Sequence, residues 1–244
     1  MPTAIAGKTH TGKRRSAKKN EDSFFADKIG GVYLAVVCDG MGGANGGSIA
    51  SSRAVESFVG TIKELLPDSD NYRDILFAAV AKANENVYSE SVIKRELAGM
   101  GTTMVACIFD GGEYYAVNVG DSRMYIIDDK NYTINQITKD HSWVQGMVDS
   151  GEMTKEQAEK SPQKNILTRA LGTDDFVDVD FFRGKYESGI MFLCSDGLYN
   201  YADESDIIKY ISQYDDIEHC ADELIAKANE NGGGDNITVI IIKP

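Results

Sequence analysis

Two long helical patterns stand back to back between one β-type run and the next, and nothing else in the sequence constrains the fold as much. In the first, Ile49, Ala50, Ala54, Phe58, Ile62, Leu65 and Leu66 recur at helical spacing. In the second, Ile75, Leu76, Ala79, Val80, Ala83 and Val87 do the same. The β-type runs around them are short: 32–38 (VYLAVVC), 103–109 (TMVACIF), 114–119, 123–127, 190–194 (IMFLC) and 237–242 (ITVIII). A helix pair inserted among clustered strands breaks the alternation of a doubly wound parallel sheet, so the spacing predicts an α+β fold. A further helix is predicted from Thr154, where Thr154 and Gln157 have capping-box spacing. A last one covers about 217–229 and stops at Asn231-Gly232-Gly233-Gly234. No Pro- or Ser-rich linker and no solenoid period divides the 244 residues, which predicts one domain over 1–244.

Charge and hydropathy remove several function classes. With 25 Lys+Arg against 38 Asp+Glu the net charge is −13, which repels a nucleic-acid backbone. The longest apolar run, Val32 to Cys38, is far shorter than the roughly 20 residues of a spanning helix, so no membrane insertion is expected. The opening MPTAIAGKTH lacks the apolar core of a signal peptide, and a cytoplasmic location is expected. Cys38, Cys107, Cys194 and Cys220 form no C-x-x-C pair, and the first three lie in apolar runs; buried, reduced thiols are expected. Residues 1–20 carry six cations and no acid, whereas the acid-rich stretch 203–223 reads as a solvated helix face.

Two phosphate-loop patterns fail on inspection. Gly7-Lys-Thr-His-Thr-Gly12-Lys13 is followed by Arg14, where a nucleotide loop needs Ser or Thr to hold magnesium. After Gly40-x-Gly42 the next usable glycine, Gly46, falls one place late for a dinucleotide fingerprint, and Asp39 would repel a pyrophosphate. A phosphate approaches Asp39 only across a cation.

Carboxylates at strand margins carry the main signal. Asp39 ends VYLAVVC, Asp196 follows IMFLCS, Asp121 follows AVNVG, and Asp235 precedes ITVIII, with Asn20-Glu21-Asp22 ahead of the first run. Clustered carboxylates repel one another unless a hard cation neutralises them, and an all-oxygen set suits Mg²⁺ or Mn²⁺ better than zinc. Sequence alone does not show that these groups converge.

In these segments the chain closely resembles the metal-dependent type-2C serine/threonine protein phosphatases in their compact bacterial form. The matching segments occur in family order: Asn20-Glu21-Asp22-Ser23, Val37 to Gly43, Gly101-Thr102-Thr103, Val119 to Arg123, Asp140-His141-Ser142, Leu167 to Gly172, Cys194 to Leu198 and Gly234 to Thr238. The resemblance implies an α-β-β-α sandwich, two antiparallel sheets flanked by helix pairs, with a flap at about 142–171. It implies two core Mn²⁺ or Mg²⁺ ions bridged by Asp39, with the Gly40 carbonyl, Asp196 and Asp235 as ligands and Glu21 and Asp22 acting through water. A weak third ion would be shared by Asp121 and Asp196. The implied reaction is hydrolysis of phosphoserine and phosphothreonine on proteins by a metal-bridging hydroxide, in a monomer opposing a bacterial Ser/Thr kinase.

Three positions depart from the family pattern. Residue 17 is Ala where the phosphate-gripping Arg is usual, leaving Arg15 or Arg14 for that role. Met41 replaces the His of animal relatives, so protonation of the leaving group is assigned to a metal-bound water. Asn200 stands where many relatives have an Asp near the third metal; its carbonyl oxygen would be a weaker ligand. Rival readings are a silent phosphoprotein-binding module, a P-loop nucleotide binder, and a partner-switching phosphatase acting on a sigma-factor regulator. His10, His141 and His219 are expected to be non-catalytic, with His141 positioning the loop after it.

Overall fold

The computed structural model describes residues 4–42, 46–128, 131–186 and 189–243. In chain order it contains β1 (Ala4–His10), β2 (Asp22–Ile29), β3 (Val32–Met41), α1 (Gly46–Leu65), α2 (Tyr72–Ile93), β4 (Gly101–Thr102), β5 (Met104–Asp110), β6 (Glu113–Val119), β7 (Arg123–Asp128) and β8 (Thr133–Gln136). There follow α3 (Trp143–Asp149), α4 (Lys155–Lys160), β9 (Asp180–Lys185), β10 (Ile190–Cys194), α5 (Asp196–Tyr199), α6 (Glu204–Gln213), α7 (Ile217–Glu230) and β11 (Ile237–Lys243).

The strands form two antiparallel sheets, one ordered β2-β3-β5-β6-β9 with β4 against β3, the other β1-β11-β10-β7-β8. Strand β3 shows why its sequence is an unbroken apolar run. Leu34, Val36 and Cys38 face Phe58, Ile62, Leu76 and Val80 of the α1–α2 pair. Ala35 and Val37 face the other way, into a core shared with Met191, Leu193, Ile240 and Ile242 of the second sheet. With period-two alternation, a strand buried on both faces must be apolar throughout. The second sheet turns Phe192, Cys194, Val239 and Ile241 onto Ile207, Cys220, Ala221 and Leu224 of the α6–α7 pair. The result is the α-β-β-α layering, each buried large side chain contributing about 1.5–3 kcal/mol. Hairpins β2–β3 and β5–β6 turn on Gly30-Gly31 and Gly111-Gly112, whose φ values of 56°, 99°, 55° and 96° are positive and cheap only for glycine.

All six β-type runs expected from the sequence are strands, and Thr154 closes the expected capping box with Gln157 at the start of α4. The first run extends beyond Cys38 to Met41 because β4 pairs with its end, Gly40 opposite Thr102. Strands β1, β2, β4, β8 and β9 and helix α5 come in addition to these, and α6 lies within the acid-rich stretch 203–223 that reads as a helix face. Gly7 to His10 lie inside β1 and Lys13–Arg15 form a 3₁₀ turn, so the failed nucleotide pattern is strand and turn, not a loop opening a helix. Gly43, part of one matching segment, lies outside the described residues. All four cysteines are buried and free, and burial pushes the Cys38 and Cys194 thiols up and that of Cys107 to about 12. Among the described residues no helix is long and apolar enough to cross a membrane.

Candidate active site

Antiparallel pairing gathers the marginal carboxylates at one end of the sandwich. Asp22 opens β2 directly opposite Asp39 near the end of β3. Cys194, two residues before Asp196, pairs with Val239, four residues after Asp235, so the end of β10 and the start of β11 meet. Asp121 follows Gly120 in the β6–β7 connection, and its backbone carbonyl accepts the Tyr199 hydroxyl at 3.1 Å, which ties it to α5 just after Asp196. Residues separated by up to 216 positions thus share one cleft.

Asp22 is the most enclosed member. Its Oδ2 accepts the Ser195 hydroxyl at 2.7 Å and the Thr238 hydroxyl at 2.6 Å, while Oδ1 is buried without a partner. Burial pushes its carboxyl up to about 6. Asp39 keeps a partly exposed edge at the cleft, yet burial and then the charges of Asp22, Asp196 and Asp121 hold its carboxyl well above the usual range. Burial also raises Asp196 and Asp121, with the Asp196 charge adding to the latter. One Asp196 oxygen, Oδ1, is buried and unpartnered.

The backbone around Asp39 is fixed from several sides. Thr103 Oγ1 accepts the Asp39 N–H at 2.9 Å, and the Asp39 carbonyl accepts the Thr102 hydroxyl at 2.8 Å and the Thr103 N–H at 2.9 Å. A Cβ at Gly40 would collide with the Gly47 carbonyl oxygen, so only glycine lets the first turn of α1 close on this strand end.

Arg15 and Arg14 differ sharply. The Arg15 guanidinium bridges Glu21, at 2.7 Å, and Asp235, whereas Arg14 is exposed on the 3₁₀ turn. The fork behaves as a stand-in cation for these two carboxylates. Among the described residues no group of three is already spaced to hold an ion, so ligation by Glu21 and Asp235 requires Arg15 to leave them. The donor set nevertheless fits hard divalent ions: it is all oxygen, it includes orphaned buried oxygens on Asp22 and Asp196, and its members repel one another.

Asn200 links the flap to the carboxylates: its Oδ1 accepts Lys164 Nζ at 2.7 Å, and its Nδ2 donates to Asp196 Oδ2 at 3.1 Å. Lys164 comes from the flap segment, whose α3 and α4 cover a cavity of about 600 Å³ over Arg123, Tyr199 and Asn200. His141 is buried, its Nδ1 accepts the Gly120 N–H at 3.1 Å, and its Nε2 lies 3.2 Å from Asp180, joining the Asp121 turn to β9. Ser195, Thr238 and Lys164 had been assigned no part in the site. Hydroxyls within apolar strands and one lysine among many carry no periodic signal.

The protein phosphatase 2C family model matches residues 7–229. The chain belongs to that family. It is 36% identical over 243 residues to the serine/threonine phosphatase stp of Listeria monocytogenes, covering 96% of this chain and 93% of that one. The crystal structure of serine/threonine phosphatase Stp1 from Staphylococcus aureus superposes with a TM-score of 0.89 at 31% identity, covering 100% of this chain and 96% of that chain. The catalytic domain of the serine/threonine protein phosphatase PstP in complex with two manganese ions gives 0.85 at 31% identity, over 99% and 97%.

Proposed function

We propose that this protein hydrolyses phosphoserine and phosphothreonine monoesters on proteins with the help of divalent metal ions, in opposition to a Ser/Thr protein kinase. The observation that carries the reading is the Asp22–Asp39–Asp196 group, three mutually raising carboxyls in a cleft that no cation among the described residues touches. In the reaction a water oxygen forms the new bond to phosphorus, the bond to the Ser or Thr oxygen breaks, and that oxygen takes up a proton.

Asp39, Asp196 and Asp235, with the Gly40 carbonyl, would hold two core ions, and Glu21 and Asp22 would orient water around them; Asp121 and Asp196 would share a weaker third. When bound, the ions supply charge neutralisation and lower the pKa of attacking water. Arg15 exchanges its carboxylate partners for two phosphoryl oxygens, a trade its planar fork permits because both ligands are anionic and bidentate. Ser195 and Thr238 hold Asp22 in one orientation, so its free oxygen points into the group. Met41, adjoining Gly40, has no proton to give, and leaves the leaving oxygen to solvent.

The test is hydrolysis of p-nitrophenyl phosphate and a phosphothreonine peptide with and without Mn²⁺. Metal-dependent turnover that disappears in Asp39→Asn is expected; metal-independent turnover would overturn the reading.

A further inference from the structure

A second groove, of about 390 Å³, begins at Met41 and runs along the segment after the flap. Met41 and Asp39 are two apart on β3 and so project from the same face, roughly 7 Å apart along the strand. That is about the spacing of one or two residues of an extended peptide. The groove lining is mixed: Met41, Leu167, Ala170 and Val177 supply its apolar part, and Phe176, also in the lining, is 73% exposed. Phe176 thus offers an apolar contact beside the groove, next to Val177 in the chain.

The rim is acidic. Residues 173–180 read TDDFVDVD, four aspartates in eight positions. Asp180 is committed to Arg169, at 2.7 Å, and to His141. Asp174, Asp175 and Asp178 are exposed and have no ion-pair partner among the described residues. Arg169 is the groove's one cation, and its pairing with Asp180 removes it as a competitor for those charges.

We propose that this groove selects substrates, taking phosphoprotein segments in which an aliphatic side chain and an adjoining Lys or Arg lie within one or two residues of the phosphoresidue. The inference rests on the phosphatase reading above. The aliphatic group fills the slot between Met41 and Phe176, and the cation meets Asp174 and Asp178. The phosphate is then held at the Asp39 cleft while its flank lies along the groove.

Three phosphothreonine peptides that differ only in their flanks, Leu-Arg, Ala-Ala and Glu-Glu, test this beside p-nitrophenyl phosphate. Wild type, D174N/D178N and F176A are assayed with Mn²⁺. Wild type is expected to prefer the Leu-Arg peptide, with a preference that shrinks as salt rises. The double variant is expected to lose about three- to tenfold in kcat/KM for that peptide, the scale of one cation's exposed ion pairs. F176A is expected to lose a few-fold for the same peptide. p-Nitrophenyl phosphate, too small to reach the groove, is hydrolysed unchanged by both, which also shows that they fold. Equal kcat/KM for the three peptides in wild type, or losses shared by p-nitrophenyl phosphate, overturn the groove assignment and leave the phosphatase reading standing. Absence of turnover on every substrate removes both.

Discussion

On the flank of the cleft formed by Glu21 and Asp235, the chain supplies its own counter-charge through Arg15. On the flank formed by Asp22, Asp39, Asp121 and Asp196 it supplies hydroxyls and an amide, and among the described residues no side-chain cation makes contact. The first arrangement is self-sufficient and reversible, since a guanidinium on a surface turn can let go. The second is incomplete by construction: buried carboxylates without cations disfavour their own ionisation, and the fold tolerates them because the surrounding layers over-determine their positions. One flank is therefore built to exchange partners and the other to receive a charge from outside.

The largest effect should come from the receiving flank. Asp39→Asn is expected to lower turnover by about a thousandfold or more, the upper scale for removing one charge-stabilising group. The same variant should melt higher than wild type in EDTA, because it removes a repelling carboxyl. Calorimetry read beside p-nitrophenyl phosphate kinetics checks both, and a lower Tm in EDTA would break the contrast between the flanks.

Metal and pH sharpen it next. The carboxyls of Asp22, Asp39, Asp121 and Asp196 are raised in the folded chain, so the fold holds their protons more tightly than the unfolded chain does. Their contribution to stability is fully present below the ordinary carboxylate range and is lost as pH rises through the folded values, about 6 for Asp22. Metal-free protein should accordingly lose Tm between about pH 4 and pH 7. Mn²⁺ at a hundred times its Kd should restore about 2.7 kcal/mol near neutral pH. A metal-free melting curve that is flat or rising over that range contradicts the assignment.

On the exchanging flank, Arg15→Ala is expected to raise KM for a phosphopeptide by roughly ten- to a hundredfold, the worth of a charge-assisted bidentate contact. Arg15→Lys should recover little of it, since an ammonium cannot span two oxygens. Full recovery by lysine would show that only charge matters there. Lys164→Ala, which frees the flap from Asn200, should change peptide kcat/KM by only a few-fold, because the contact it removes lies between flap and body and not on the substrate. It should also speed proteolysis within 142–171. Smallest of all, Thr154→Ala should cost about 1 kcal/mol through the lost α4 cap. Its hydrolysis of p-nitrophenyl phosphate should not change, because that cap touches neither flank.

How much of this was legible in the sequence follows from burial. Runs such as VYLAVVC and ITVIII were readable because two-sided burial makes them apolar at every position. Strands β2 (DSFFADKI) and β9 (DFFRGK) were not, since each mixes exposed charges with half-buried aromatics and offers no clean period. The acid-rich stretch that contains α6 was legible as helix, but its charge hid the buried side formed by Ile207 and Ile211, four residues apart. In the site, the strand-end aspartates stood out because a charge beside an apolar run is unusual. Their hydroxyl partners did not, and the choice between Arg14 and Arg15 depends on the geometry of one turn that spacing does not encode. Asn200 was visible as a substitution, but which way its amide faces is decided by Lys164, thirty-six residues earlier.

Strand β1 pairs with β11 along its whole length, Ala4 opposite Lys243 through His10 opposite Ile237. The Arg15–Asp235 contact spans 220 residues. On a ribosome moving at roughly 5–20 residues per second, Arg15 emerges some ten to forty seconds before Asp235 does. A nascent chain consequently holds an unfinished cleft until β11 has been translated.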